Sequence, residues 1–201
     1  MKRKEVRILG LSYSQSQIGS YVVVLSEIKG NKKLPVIIKP NEAQIIALKI
    51  EGIKSPRPLT HELFKSLTDA FNIDIQEIYI HSIFEGIFYT KIVASNGLDT
   101  FEIECSVGDG ISLALVYDCP IYISKEVMDI SGVVINDDGT IPNIIEDDDT
   151  EYVESSKRTV SVEDLEKMME DAIANEEYEI ASEIRDRIKK IKENKLNNNN
   201  G

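Results

Sequence analysis

Two groups of polar residues have the types and spacing that chemistry on a phosphate or a bound cation requires: Glu42, Arg57 and His61, and then Glu102, Glu104 and Asp109. His61 is one of only two histidines in the chain. A neutral imidazole accepts a proton or binds a metal. Arg57 precedes it in Ser55-Pro56-Arg57-Pro58-Leu59-Thr60-His61. Pro56 and Pro58 fix two φ angles and push Ser55 and Arg57 out of the helical basin. The segment is therefore a stiff turn that delivers a guanidinium and an imidazole to one place. At a helix start the dipole disfavours a cation and keeps the imidazole neutral. The same residues also suit a plainer role, a surface histidine beside a cap and a first-turn glutamate favoured by the dipole alone.

In the second group, Glu102 and Glu104 share one face of a strand while Phe101, Ile103 and Cys105 share the other. Gly108-Asp109-Gly110 then opens a helix, and glycine there lets a ligand or another backbone come close. Glu102, Glu104 and Asp109 together suit a divalent ion such as magnesium or manganese, with Asp109 and Glu104 as the expected ligands. Such an ion activates water and steadies a phosphoryl transition state. An acidic strand edge followed by a capping aspartate fits the spacing equally.

The elements that must hold these residues are legible from pattern. Strands are expected over 4–12, 19–28 and 33–39, the second carrying Tyr21-Val22-Val23-Val24. Asn41 suits an N-cap for a helix over 42–51, which Gly52 ends. Thr60 suits a second cap, for a helix whose inward stripe is Leu63, Phe64, Leu67, Ala70 and Phe71. Strands near 75–82 and 86–94, a turn at Asn96-Gly97, a helix over 108–117, a short strand at 120–123 and a helix capped by Ser124 follow. This order predicts an α+β fold, a mixed, largely antiparallel sheet covered by helices, with a C-terminal α-helical hairpin.

The chain divides by composition. Residues 1–130 form the main domain, 131–160 an acidic flexible linker, 161–193 a helical hairpin and 194–201 a disordered tail. Ser161 starts the hairpin, whose stripes are Leu165, Met168, Met169, Ala172 and Ile173, then Tyr178, Ala181, Ile184, Arg185 and Ile188. Thirty residues hold no core unaided, so this face needs a copy of itself, the main domain or another protein.

The net charge of −12 opposes a nucleic-acid partner at first sight. Its distribution tempers that: residues 1–60 carry eleven Lys and Arg against four acids. Solvated lysines on strand edges account for the same excess. No apolar run reaches the roughly 18–20 residues that span a bilayer, and two cysteines without metal spacing make no disulfide framework. A cytoplasmic location is expected, with no membrane partner. Walker-type glycine loops, Gly-x-Ser-x-Gly and zinc clusters are absent from the sequence.

The first domain resembles the bifunctional nuclease (BFN) domain of bacteria and plants. The likeness rests on Leu34 to Ile38, Glu42-Ala43, Leu48 to Gly52, Arg57 to Phe64, Gly86 to Tyr89, Asp109 to Ala114 and Cys119-Pro120-Ile121. Residues 162–192 resemble a UVR motif, the hairpin by which bacterial excision-repair proteins contact one another. The resemblance implies a bacterial nuclease acting on DNA and RNA, a homo-oligomer, with Glu42, His61 and Asp109 catalytic and Arg57 holding substrate. It implies contact with another protein through 161–193, by Leu165, Met169, Tyr178, Ile184 and Arg185. One departure stands out: where the family usually reads Arg-x-Ser-Asp-Ala, this chain has Ser106-Val107-Gly108-Asp109-Gly110. A phosphate-binding cation and a hydroxyl are thereby absent from their usual places. A non-catalytic adaptor whose BFN domain has lost activity is the other reading.

Overall fold

The computed structural model describes residues 2–14, 19–134 and 159–198. Alternation sets the sheet. β2 (Tyr21–Glu27) buries every second side chain, and so in large part does β3 (Lys32–Ile38). With β1 (Arg3–Tyr13), β4 (Asp74–Phe84), β5 (Ile87–Ser95), β6 (Thr100–Cys105), β7 (Ile121–Ser124) and β8 (Val133–Val134), they run in the order β6-β5-β4-β7-β1-β2-β3-β8. β9 (Thr159–Val160) pairs parallel with Gly10 and Leu11 of β1, on the edge that β7 uses lower down. The β4–β7 pairing is also parallel and the others are antiparallel. The sheet is thus mixed and largely antiparallel, and the fold is α+β. Beyond Lys33 no strand among the described residues pairs with the outer edge of β3, and there Pro35 needs no partner for the N–H it lacks.

α1 (Pro40–Glu51), α2 (Thr60–Ala70) and α3 (Val107–Tyr117) form the covering layer, and α4 (Lys125–Ser131) follows β7. Two helix starts differ from expectation. The N-caps are Lys39 and Leu59, not Asn41 and Thr60. Pro40 is pre-set for a first helical position. In both helices the carboxylate three residues on does the capping: Glu42 Oε2 accepts from Lys39 N at 2.9 Å and Glu62 Oε2 from Leu59 N at 3.2 Å.

The α2 stripe is a larger correction. Leu63, Leu67 and Phe71 are 62, 55 and 69% exposed, and His61 and Thr68 are buried in their place. α2 packs chiefly on α3. It meets that neighbour with Thr68, hydrogen-bonded to the Tyr117 hydroxyl, and with Phe64, edge-on to the Tyr117 ring. In a single copy of the chain Leu67→Lys is therefore expected to change stability by no more than about 0.5 kcal/mol. A larger loss in denaturant unfolding would show that a second copy covers the face.

α5 (Val162–Ala174) and α6 (Tyr178–Asn198) make the hairpin, joined through Asn175 and Glu176, the latter at φ 62°. α6 carries on past residue 194. Of the acidic segment, 135–158 lies outside the described residues, and Val134 and Thr159 at its two ends are in strands. Of the three partners open to the hairpin's apolar face, the structure shows the main domain. Leu165, Met168, Ala172, Ala181, Ile184 and Ile188 belong to the same core as Val6, Leu25 and Ile46. Leu165 and Ile184, expected to meet another protein, are buried inside the chain, and Met169 is half-buried. Tyr178 and Arg185 face solvent. Among the described residues no helix is long and apolar enough to cross a membrane.

Candidate active site

Three helix N-termini meet at one place. Ser106 caps α3, its Oγ accepting from Asp109 N at 3.1 Å. Such a cap contributes about 1 kcal/mol. The same hydroxyl donates to Asp109 Oδ2 at 2.7 Å and leans towards Glu42 Oε1 at 3.4 Å. Asp109 Oδ1 lies 3.1 Å from His61 Nε2. A line of polar contacts, Glu42–Ser106–Asp109–His61, therefore joins the first turns of α1, α3 and α2.

Burial makes the line directional. Glu42 and His61 are 7 and 9% exposed, whereas Asp109 is half-exposed. A carboxylate accepts only, so in the neutral ring Nε2 carries the proton and Nδ1 has the lone pair. That Nδ1 is buried, with no hydrogen-bond partner among the described residues. The space for Glu42 is made by Gly108: a Cβ there would lie 2.0 Å from Glu42 Oε2. Three helix dipoles add positive potential at the same point, which favours carboxylates and would favour a phosphate.

The expected residues divide. Glu42, His61 and Asp109 come together. Arg57 is exposed on the proline turn, and among the described residues no hydrogen bond or ion pair ties it to that line. Glu104 stands apart from Asp109's partners, 3.5 Å from His81 Nε2 and 3.7 Å from Lys91 Nζ, while Glu102 pairs with Lys91 at 3.0 Å. Among the described residues no three His, Cys, Asp or Glu side chains gather as a metal cluster.

The cysteines offer no nucleophile. Burial, then the charges of Asp109 and Glu104, push the Cys105 thiol up to about 12, and burial pushes Cys119 to about 11. Sequence reasoning missed Ser106 as part of the site, for which the Ser-x-x-Asp spacing of a capping box was the available signal. Glycine at 108 suggests room for a ligand or another backbone, and what fills that room is the Glu42 side chain.

Comparison with known proteins finds two family matches. The family described as "Bifunctional nuclease domain" matches residues 23–136, and the "UvrB/uvrC motif" matches residues 159–194. Two proteins of Mycobacterium tuberculosis, from strains CDC 1551 and H37Rv and both described as uncharacterized, are each 31% identical over 163 residues. The match spans 80% of this chain and 97% of each relative.

Proposed function

The chain belongs to the bifunctional nuclease domain family, and on that premise we propose that it hydrolyses phosphodiester bonds in DNA and RNA. One observation carries the reading: His61 is aligned by Asp109 with a free Nδ1 lone pair, at a point where three helix N-termini favour a phosphate. Nδ1 takes a proton from the attacking water, and Asp109 holds the ring and steadies the imidazolium that forms. Arg57 meets the phosphate from the exposed turn before α2. Glu42 and Asp109, bridged by the Ser106 hydroxyl, are the pair that would hold magnesium or manganese; such ions are commonly bound by one or two carboxylates plus water and phosphate oxygens. A bound ion would neutralise developing charge on the phosphate. Glu104 is the alternative ligand expected from the sequence, approached from the strand beside Cys105.

The hairpin supports a contact with a further macromolecule, and the bare α2 stripe is the surface a homo-oligomer would use. A second reading, a binding module without catalysis, has one observation in its favour: the free imidazole nitrogen is itself buried. Purified chain on labelled single-stranded DNA and RNA, with magnesium or manganese and then with EDTA, separates the two. We expect cleavage that EDTA stops. Cleavage undiminished by EDTA removes the metal from the proposal, and none under any condition leaves the binding module.

A further inference from the structure

The hairpin's apolar face and its polar rim both point inward. Among the described residues, these four hydrogen bonds join the main domain to the hairpin. Tyr13 N donates to Asp164 Oδ1 at 2.8 Å and Tyr21 Oη donates to Asp171 Oδ2 at 2.8 Å. Gln44 Nε2 donates to Glu177 Oε2 at 2.7 Å, and Arg187 Nε donates to Glu51 Oε2 at 2.7 Å. The Lys167 ammonium sits 3.9 Å above the Tyr13 ring. Both hairpin helices are pinned, at their starts and along their lengths.

These contacts are more than incidental surface pairs. The Tyr21 hydroxyl is pushed far above its ordinary range, first by burial and then by its bond to Asp171, so it remains a donor. Glu51's side chain is nine-tenths buried beneath Arg187. Between the clasps Leu165, Met168 and Ile184 are almost wholly buried. Two of the four clasps, Gln44 and Glu51, come from α1, the helix whose first turn carries Glu42.

We propose that the C-terminal hairpin is a latch closed in cis on α1, so that a partner takes the hairpin only by lifting it, and lifting it loosens the helix that holds Glu42. The apolar face a partner would need is the one now buried against the chain's own main domain. A partner able to displace it must present what α1, β1 and β2 present. That is an apolar stripe edged by a hydroxyl opposite Asp171 and a carboxylate opposite Arg187, which is the surface of another protein rather than of a nucleic acid. The two states share one element, α1, and coupling between sites requires such an element. The inference does not depend on phosphodiester cleavage.

Hydrogen exchange by mass spectrometry on the full chain tests it. Tyr21→Phe with Glu51→Gln leaves the hairpin's own sequence untouched. We expect amides in 165–188 to exchange at least tenfold faster, those of 43–46 in α1 to follow, and β4 and β5 to stay unchanged. The charge exchange Glu51→Arg with Arg187→Glu should restore most of the protection that Glu51→Arg alone removes. Unchanged exchange in 165–188, exchange confined to the hairpin with 43–46 still protected, or failure of the exchanged pair to restore protection would each overturn the latch.

Discussion

His61→Ala is expected to reduce kcat for oligonucleotide cleavage at least a hundredfold, because general base catalysis of this kind supplies a factor of about 10²–10⁴. The fold should survive. The ring is small, and Asp109 is 49% exposed, so its carboxylate rehydrates when Nε2 is removed. A stability loss of about 1–2 kcal/mol is in line with a partly satisfied buried group, and for a chain of this size that is a fall in Tm of a few degrees per kcal/mol. His61→Gln sharpens the test. Its amide retains a donor for Asp109 and lacks a basic lone pair, so it should be as inactive as alanine while melting closer to the parent. Activity retained by glutamine would make His61 a positioning residue. Equal cleavage by parent and alanine variant would remove it from the mechanism altogether.

What the sequence revealed tracks where the relevant physics lies. Strand alternation and the two stiff prolines are local, so the sheet members and the elbow before α2 were legible. So was the meeting of Glu42, His61 and Asp109, through the family pattern. The α2 stripe was misjudged because periodicity shows that a face is apolar and not what covers it. Leu63, Leu67 and Phe71 need a neighbour, and among the described residues α2 packs chiefly on the polar-aromatic side of α3. The Ser106–Gly110 segment was read as two losses. In three dimensions it is one device: the Ser106 hydroxyl caps α3 and bonds Asp109, and the side chain absent at 108 leaves the space that Glu42 fills. Such an arrangement crosses from α3 to α1, residues more than sixty apart, and no single-sequence rule reports it. The guanidinium has no counterpart at its own position, since Ser106 stands where the family usually carries arginine.

Gly108→Ala isolates that device. Its φ lies outside the left-handed region, so alanine is conformationally acceptable and gains up to about 1 kcal/mol in helix propensity. The added Cβ would stand 2.0 Å from Glu42 Oε2 and 2.3 Å from its Cδ, contacts no structure tolerates. The obstructing atoms are the end of a flexible side chain, so the carboxylate swings away and gives up the Lys39 N–H and the Ser106 hydroxyl. We therefore expect stability within about 1 kcal/mol of the parent, as the propensity gain offsets the lost bonds, and at least a tenfold loss of cleavage. In a Glu42→Ala background the same substitution meets no obstruction and should stabilise outright, so the two changes couple by about 1 kcal/mol or more in a double-mutant cycle. Gly110→Ala provides the contrast. Its Cβ would press on Ile78 Cγ2 and Thr90 Cγ2 at 3.0 Å, core methyls with little room to move, at a cost of about 1–3 kcal/mol. Additive effects of Gly108→Ala and Glu42→Ala on unfolding would mean that Glu42 does not lie over that glycine in solution, and the line from α1 to His61 would lose its first member.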